Sequence, residues 1–330
     1  MKALPAALRL TALLASLMLA GCFATDGLSG RSVTATGAVE RDPTLLVATT
    51  RRPVGDPPQK PWFSGQRGEG LVFAEAQLVP PDRSLVGRMT SVVTGDWSIA
   101  GVERLERGNA AQAFAQAALG RDVLLYVHGY RESFESAALS AAQLSDGIRF
   151  RGATALFTWP SAASTFNYVG DRESAMWSRD ALEDLLTALA STPSGGRVHI
   201  VAHSMGTLLT LETLRMLRAT GGESAMSRIG TVVLAAPDID IDLFTRSVER
   251  LGEDAKKITV ITARNDRALA VSSRLAGGVL RAGAAERERL EALGVRVADA
   301  SDFASGIINH DLFLSNKEVQ QVVKRAIERG

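Results

Sequence analysis

From Asp122 onward the sequence alternates short, nearly continuous apolar runs with longer stretches of helical period, and that alternation restricts the fold more than any other feature. The apolar runs cover 123–127, 153–158, 198–202, 231–235 and 258–261, with a weaker sixth at 295–298. Helical stretches lie between them at 134–144, 173–190, 206–218, 240–251 and 269–281. Strands that are apolar throughout belong in a parallel sheet covered on both faces, because no side of such a strand is suited to water. Their alternation with helices predicts a doubly wound α/β sheet. Earlier β-like runs at 45–49, 71–78 and 89–99 are expected to form its antiparallel N-terminal edge. A stripe of Ala181, Leu182, Leu185, Leu186 and Leu189 marks the core face of one helix. Ser315-Asn316-Lys317-Glu318 reads as a capping box opening the last helix. The stretch from Arg51 to Gly70, rich in Pro and Gly around a Trp62-Phe63 pair, reads as a break.

At 330 residues, 46% hydrophobic and 22% charged, the chain is long enough for one large domain with an extension. A net charge of +1 with no long basic block provides no electrostatic footprint for nucleic acid. The N-terminus has a signal-peptide pattern: Lys2 and Arg9, then an apolar run at 10–20 that is too short to span a bilayer. It ends Leu19-Ala20-Gly21-Cys22, which resembles the lipobox of bacterial lipoproteins, and Cys22 is the single Cys of the chain. The resemblance implies cleavage before Cys22, acylation of that residue and a stable lipid anchor. Phe23, where an Asp would imply retention in the inner membrane, implies an anchor in the outer membrane of a bacterial envelope. The expected organisation is a signal peptide at 1–21, a flexible Gly/Ser/Thr-rich tether at 22–43 and a folded domain at 44–330.

The run at 198–202 ends in Ala202-His203-Ser204-Met205-Gly206, and a helical stretch follows at once. This is the G-x-S-x-G nucleophile elbow with Ala in the first glycine position. A serine forced into strained backbone at such a turn needs small neighbours two residues away, and it stands at a helix N-terminus where negative charge is favoured. The hydroxyl needs a base. Of four histidines, His199 is mid-strand, His203 lies inside the elbow with its side chain directed away, and His128 ends a strand before Gly129-Tyr130. His199 and His203 do not share a face, so no metal pair is expected, and nothing calls for a cofactor. His310, in Ile308-Asn309-His310-Asp311, lies in the late loop that the order Ser…acid…His requires. For the acid, Asp266 follows the next-to-last strand, with Asp238 after the preceding strand as its competitor. The expected oxyanion donors are the N–H groups of Met205 and Tyr130.

The motifs Leu124-Leu125-Tyr126-Val127-His128-Gly129-Tyr130, Phe157-Thr158-Trp159-Pro160, Ala202–Gly206, Asn265-Asp266-Arg267-Ala268-Leu269 and His310-Asp311 resemble a sparsely characterised esterase/lipase-superfamily group of bacterial α/β-hydrolases. Ala48-Thr49-Thr50-Arg51 and Gly65-Gln66-Arg67-Gly68 are also similar to that group. The resemblance implies an α/β-hydrolase fold and a Ser–Asp–His serine hydrolase acting on small-molecule or lipid carboxylic esters, with the acid at Asp266. Two other readings stay open: a non-catalytic envelope lipoprotein using the fold as a binding or scaffold module, and an acyltransferase sharing the acyl-enzyme. Ser161–Tyr168 is expected to form a lip over the site. Trp159, Phe166 and Tyr168 either line an acyl pocket or simply pack.

Overall fold

The apolar runs of the sequence become strands of one mixed sheet in the computed structural model, which describes residues 44–81, 97–105, 110–192, 196–303 and 311–330. The positions 1–21, 22–43, Cys22 and His310 lie outside the described residues, as does the 89–96 part of the run at 89–99. The described residues belong to one unit, Arg41–Gly330. Its elements in chain order are β1 (Thr44–Pro53), β2 (Phe63–Val79), β3 (Ser98–Arg104), α1 (Ala110–Ala117), β4 (Val123–Val127), α2 (Phe134–Ile148) and β5 (Ala153–Thr158). Then come α3 (Tyr168–Trp177), α4 (Arg179–Ala190), β6 (Val198–His203), α5 (Met205–Ser227), β7 (Ile229–Ala235) and α6 (Ile241–Leu251). The chain continues through β8 (Ile258–Thr262), α7 (Arg267–Leu275), α8 (Arg287–Glu291), β9 (Arg296–Asp299), α9 (Leu312–Ser315) and α10 (Lys317–Arg329).

The strand order is β3-β2-β1-β5-β4-β6-β7-β8-β9. From β5 to β9 every pairing is parallel. Side chains of one strand alternate between two cores, as the pleat requires. Leu125 and Val127 of β4 join α4, α5 and α6 through Leu182, Leu186, Leu208 and Phe244. Leu124 and Tyr126 join α2 and α10 through Phe134, Leu144, Val319 and Val323. Helices therefore cover both faces, as the alternation predicts.

The expected antiparallel N-terminal edge is present: β1 pairs antiparallel with β2, and joins the rest of the sheet through a parallel pairing with β5, Leu46 lying opposite Ala155. Since β3 is antiparallel to β2, β2 alone among the described strands runs against the rest. The break expected at Arg51–Gly70 shrinks to 54–62, because β1 continues to Pro53 and β2 starts at Phe63. Trp62 and Phe63 are buried against Phe134, with ring centroids 6.2 and 4.8 Å away. The helix expected at 173–190 is two helices. At Ser178 the hydroxyl donates to the Ser174 carbonyl and lies 2.8 Å from the Thr50 hydroxyl, and that local competition for the backbone bends the chain. The last helix is capped by Asn316, whose Oδ1 accepts the Val319 N–H at 3.0 Å, because Ser315 closes α9. The short α1 had no counterpart among the expected elements.

Phe134 joins β2 and α2 in one core. Replacing it with Ala is expected to cost about 3–5 kcal/mol, seen as a lower urea midpoint at unchanged slope. A loss below about 1 kcal/mol would show that these elements do not depend on the ring.

Candidate active site

Ser204 stands between β6 and α5 with φ 49° and ψ −120°, a conformation that costs a non-glycine residue roughly 1–3 kcal/mol. The surroundings over-determine it. Its N–H donates to the Ala235 carbonyl at 3.0 Å, tying the turn to the end of β7. Its carbonyl accepts from the Thr207 N–H at 3.0 Å, the Thr207 hydroxyl at 2.6 Å and the Asp238 N–H at 3.3 Å. Gly206 is required for space, since a Cβ there would come within 2.3 Å of the His128 carbonyl oxygen. The methyl of Ala202 is accommodated in the core. The smallness expected of both flanking positions thus has a concrete cause at Gly206.

The loop after β4 lies directly against this turn. A Cβ on Gly129 would lie 2.8 Å from His203 Nδ1 and 3.0 Å from Ser204 Cβ, so only glycine lets the two backbones approach. Tyr130 follows, and among the described residues no acceptor takes its N–H. Met205 is the first residue of α5, where an N–H has no partner inside the helix. Arg131, the next residue of the loop, is held at φ 63°.

His128 supports the loop from below. The Trp159 N–H can only donate, so the Nε2 it meets at 3.1 Å is an acceptor. The proton is then on Nδ1, which donates to the Gly129 carbonyl at 2.8 Å. Burial and the nearby Arg51 charge hold the ring well below the ordinary histidine range. Trp159 stacks on it, centroids 4.7 Å apart, and its Nε1–H returns a bond to the His128 carbonyl. Trp159 is therefore packing and not an acyl-pocket wall. Tyr168 likewise packs inward, whereas Phe166 is 99% exposed. The lip at 161–168 is fastened to the same loop, because the Tyr130 hydroxyl donates to the Ser164 carbonyl at 3.0 Å.

The two candidate acids differ in what surrounds them. Asp238 forms a buried ion pair with Arg281 at 3.2 Å and accepts from the Tyr168 hydroxyl at 3.0 Å and from the Ser272 hydroxyl. Asp266, also buried, follows β8 and caps α7, its Oδ1 accepting the Ala268 and Leu269 N–H groups at 2.8 and 3.3 Å. His203 packs its ring 4.9 Å from that of Phe313, with its Nε2 3.5 Å from Asp311 Oδ1. His199 sits at the other end of β6, where its Nδ1 accepts the Thr231 N–H. Two charges around the loop are buried, Asp171 and Arg51, the latter in the Ala48–Arg51 segment already noted for its resemblance but not for burial. Arginine and aspartate are ordinarily solvated, and no local pattern announces their burial.

This strand order, with a strained serine at the β6–α5 turn, defines the molecule as an α/β hydrolase. The chain belongs to the family described as alpha/beta hydrolase of unknown function (DUF900), whose model matches residues 108–326. No curated protein matches the sequence. Similar solved structures include one of two fungal esterases from Rhizomucor miehei, 13% identical with a TM-score of 0.37, covering 78% of this chain and 82% of that one. A cutinase-like protein from Cryptococcus sp. is 15% identical with a TM-score of 0.36, over 64% and 94% of the two chains. The catalytic core domain of acetyl xylan esterase from Trichoderma reesei is 13% identical with a TM-score of 0.38, over 64% and 98%.

The neutral, buried His128 has a consequence for acid stability. Below about pH 6.5 the unfolded chain takes up a proton at this residue while the folded protein does not, so stability falls as pH falls. Burial gives His199 a shift of the same direction, and it contributes equally in wild type and in a His128→Gln variant. The stability gap between the two is therefore expected to narrow by about 1.4 kcal/mol per pH unit below about pH 6.5. A gap that stayed constant in urea titrations from about pH 7 to about pH 5 would contradict the neutral ring.

Proposed function

We propose that this protein is a serine esterase. In this reading Ser204 attacks the carbonyl of a carboxylic ester, His310 accepts its proton, and Asp266 orients the imidazole and stabilises the imidazolium. The N–H groups of Tyr130 and Met205 hold the oxyanion. Collapse of the tetrahedral intermediate expels the alcohol, which takes the proton from His310 and leaves the acyl group on Ser204. Water, deprotonated by His310, then attacks the acyl-enzyme and releases the acid.

The observation that carries this reading is the strained backbone of Ser204 with the Gly129 loop pressed against it. Strain of that size clusters where a site uses it, and the loop pressed against Ser204 at Gly129 continues into Tyr130, whose N–H we assign as the second donor. Two further facts support the remaining roles. Asp311, the chain neighbour of His310, pairs with His203, the chain neighbour of Ser204. Of the two acids, Asp266 is buried directly after β8, the next-to-last strand, where the chain order Ser…acid…His puts the partner of the base. The substrates we infer are small-molecule or lipid esters, and the esterases among the similar folds agree with that class without adding weight to it.

The N-terminal lipobox-like segment leads us to propose also that Cys22 carries a lipid anchor, placing the domain at the periplasmic face of an outer membrane. Labelled palmitate is expected to enter the wild-type chain expressed in a bacterial host and to be lost on Cys22→Ala. Equal labelling of the variant would overturn the anchor.

Hydrolysis of p-nitrophenyl butyrate tests the enzyme. Ser204→Ala is expected to lower kcat by at least about 10³-fold, and Asp266→Asn by about 10²–10⁴-fold. Asp238→Asn, which breaks a buried ion pair, is expected to reduce thermal stability first. Unchanged turnover in Ser204→Ala would end the esterase reading. A larger kcat loss for Asp238→Asn than for Asp266→Asn, with both variants folded, would move the acid to Asp238.

A further inference from the structure

Arg51 is fully buried at the end of β1, and all of its donors are used. Nε donates to the Thr158 hydroxyl at 2.8 Å, and Nη1 to the Ser161 and Ser64 carbonyls at 3.1 and 3.4 Å. Nη2 donates to the Glu132 carbonyl at 2.7 Å and lies 3.4 Å from His128 Nε2. The acceptors are neutral, and among the described residues no carboxylate lies within ion-pair distance. Burial lowers the guanidinium pKa to about 10, and the nearby Asp171 charge opposes that shift. Arg51 therefore keeps its charge at neutral pH.

Asp171, in the first turn of α3, is equally buried and takes the complementary set. Its Oδ2 accepts the Ser161 hydroxyl at 2.5 Å and the Arg131 N–H at 3.3 Å. Its Oδ1 accepts the Ala162 N–H at 2.9 Å and the Asn167 side-chain N–H at 3.0 Å. One cation thus holds carbonyls and one anion holds N–H groups on the same two loops. Glu132 and Arg131 belong to the loop after β4; Ser161 and Ala162 belong to the loop after β5. Tyr130 is the residue between this frame and Gly129, which touches Ser204.

Stability alone does not account for the arrangement. A desolvated charge costs several kcal/mol, and replacing buried ionic groups by apolar ones is often neutral or stabilising. What fixed charges deliver is position. The strained φ of Arg131 is the local cost of turning the loop back, and its N–H is held by Asp171.

We propose that Arg51 and Asp171 are positioning residues that aim the Tyr130 N–H at the developing oxyanion, so that they act on the transition state and not on substrate affinity. This rests on the serine-esterase reading for its kinetic form. Loss of the frame lets the loop relax by a fraction of an ångström to an ångström, which costs up to about 10²-fold in rate. Neither residue touches the substrate, so KM stays within about twofold of wild type.

The test uses Arg51→Lys, which keeps the charge but loses the fork of donors, and Ser161→Ala, which removes the hydroxyl that donates to Asp171, keeps the carbonyl that Arg51 holds, and is the milder change if Arg51→Lys does not fold. With p-nitrophenyl butyrate, Arg51→Lys is expected to lose about 10–100-fold in kcat at near-constant KM. The affinity for an alkyl trifluoromethyl ketone, whose Ser204 adduct carries the oxyanion, should weaken in parallel. Amide hydrogen exchange at 129–132 should speed up in both variants with exchange in β6 and β7 unchanged. Wild-type kcat and ketone affinity in a folded Arg51→Lys or Ser161→Ala protein, or unaltered exchange at 129–132, would overturn the proposal. An inactive wild type would refute the esterase reading and with it the kinetic form of the proposal, and exchange at 129–132 then reads only whether the two charges hold the loop.

Discussion

Two backbones meet at the centre of this molecule with no room for a side chain between them. Gly129 lies so close to Ser204 that a single added carbon would collide with its Cβ and with the His203 ring. Gly206 lies as close to the His128 carbonyl from the other side. The ends of β4 and β6 are therefore locked against each other by exclusion, and hydrogen bonds to the Ala235 carbonyl and from Thr207 and Asp238 keep the serine in its high-energy conformation. Relaxing any of these contacts would remove what holds the turn out of ordinary helix geometry.

Around that contact the fold spends buried charge in two separate places. On one side Arg51 and Asp171 brace the loops after β4 and β5. On the other, Arg281 and Asp238 join the loop after β7 to α7 through Ser272 and to α3 through Tyr168. Each network ties together segments far apart in the chain, so local strain at the rim of the sheet is balanced by long-range bonds. The parallel sheet beneath is mostly apolar, and at its rim the Thr158 hydroxyl of β5 accepts Arg51 Nε. β1 is the strand that carries Arg51 into place, which explains why an N-terminal extension runs parallel beside β5 instead of ending as a surface hairpin.

The sheet and the elbow were legible in the sequence because both are written in local residue types. Fully apolar runs of five or six residues can only be central strands, and small residues two positions either side of a serine answer to a steric demand. The direction of β1 was not legible, because pairing partners depend on neighbours over a hundred residues away. Nor was the bend at Ser178, where a continuous Leu stripe hides a hydroxyl-to-carbonyl bond. Arg51 looked like part of a Pro/Gly-rich break, since its burial comes from Thr158, Ser161 and Glu132 and not from its own surroundings in sequence. Asp266 was read as the acid from its place after the next-to-last strand, with Asp238 as its competitor; what surrounds each carboxylate, a helix end for one and Arg281 for the other, has no local signature in the sequence.

The central claim is that the strained serine is a nucleophile, and covalent capture tests it most directly. The protein, treated with diisopropyl fluorophosphate at neutral pH and then digested, should yield one phosphorylated peptide, with the adduct on Ser204 by tandem mass spectrometry. An intact protein that stays unmodified, or one modified on a residue other than Ser204, would contradict the account.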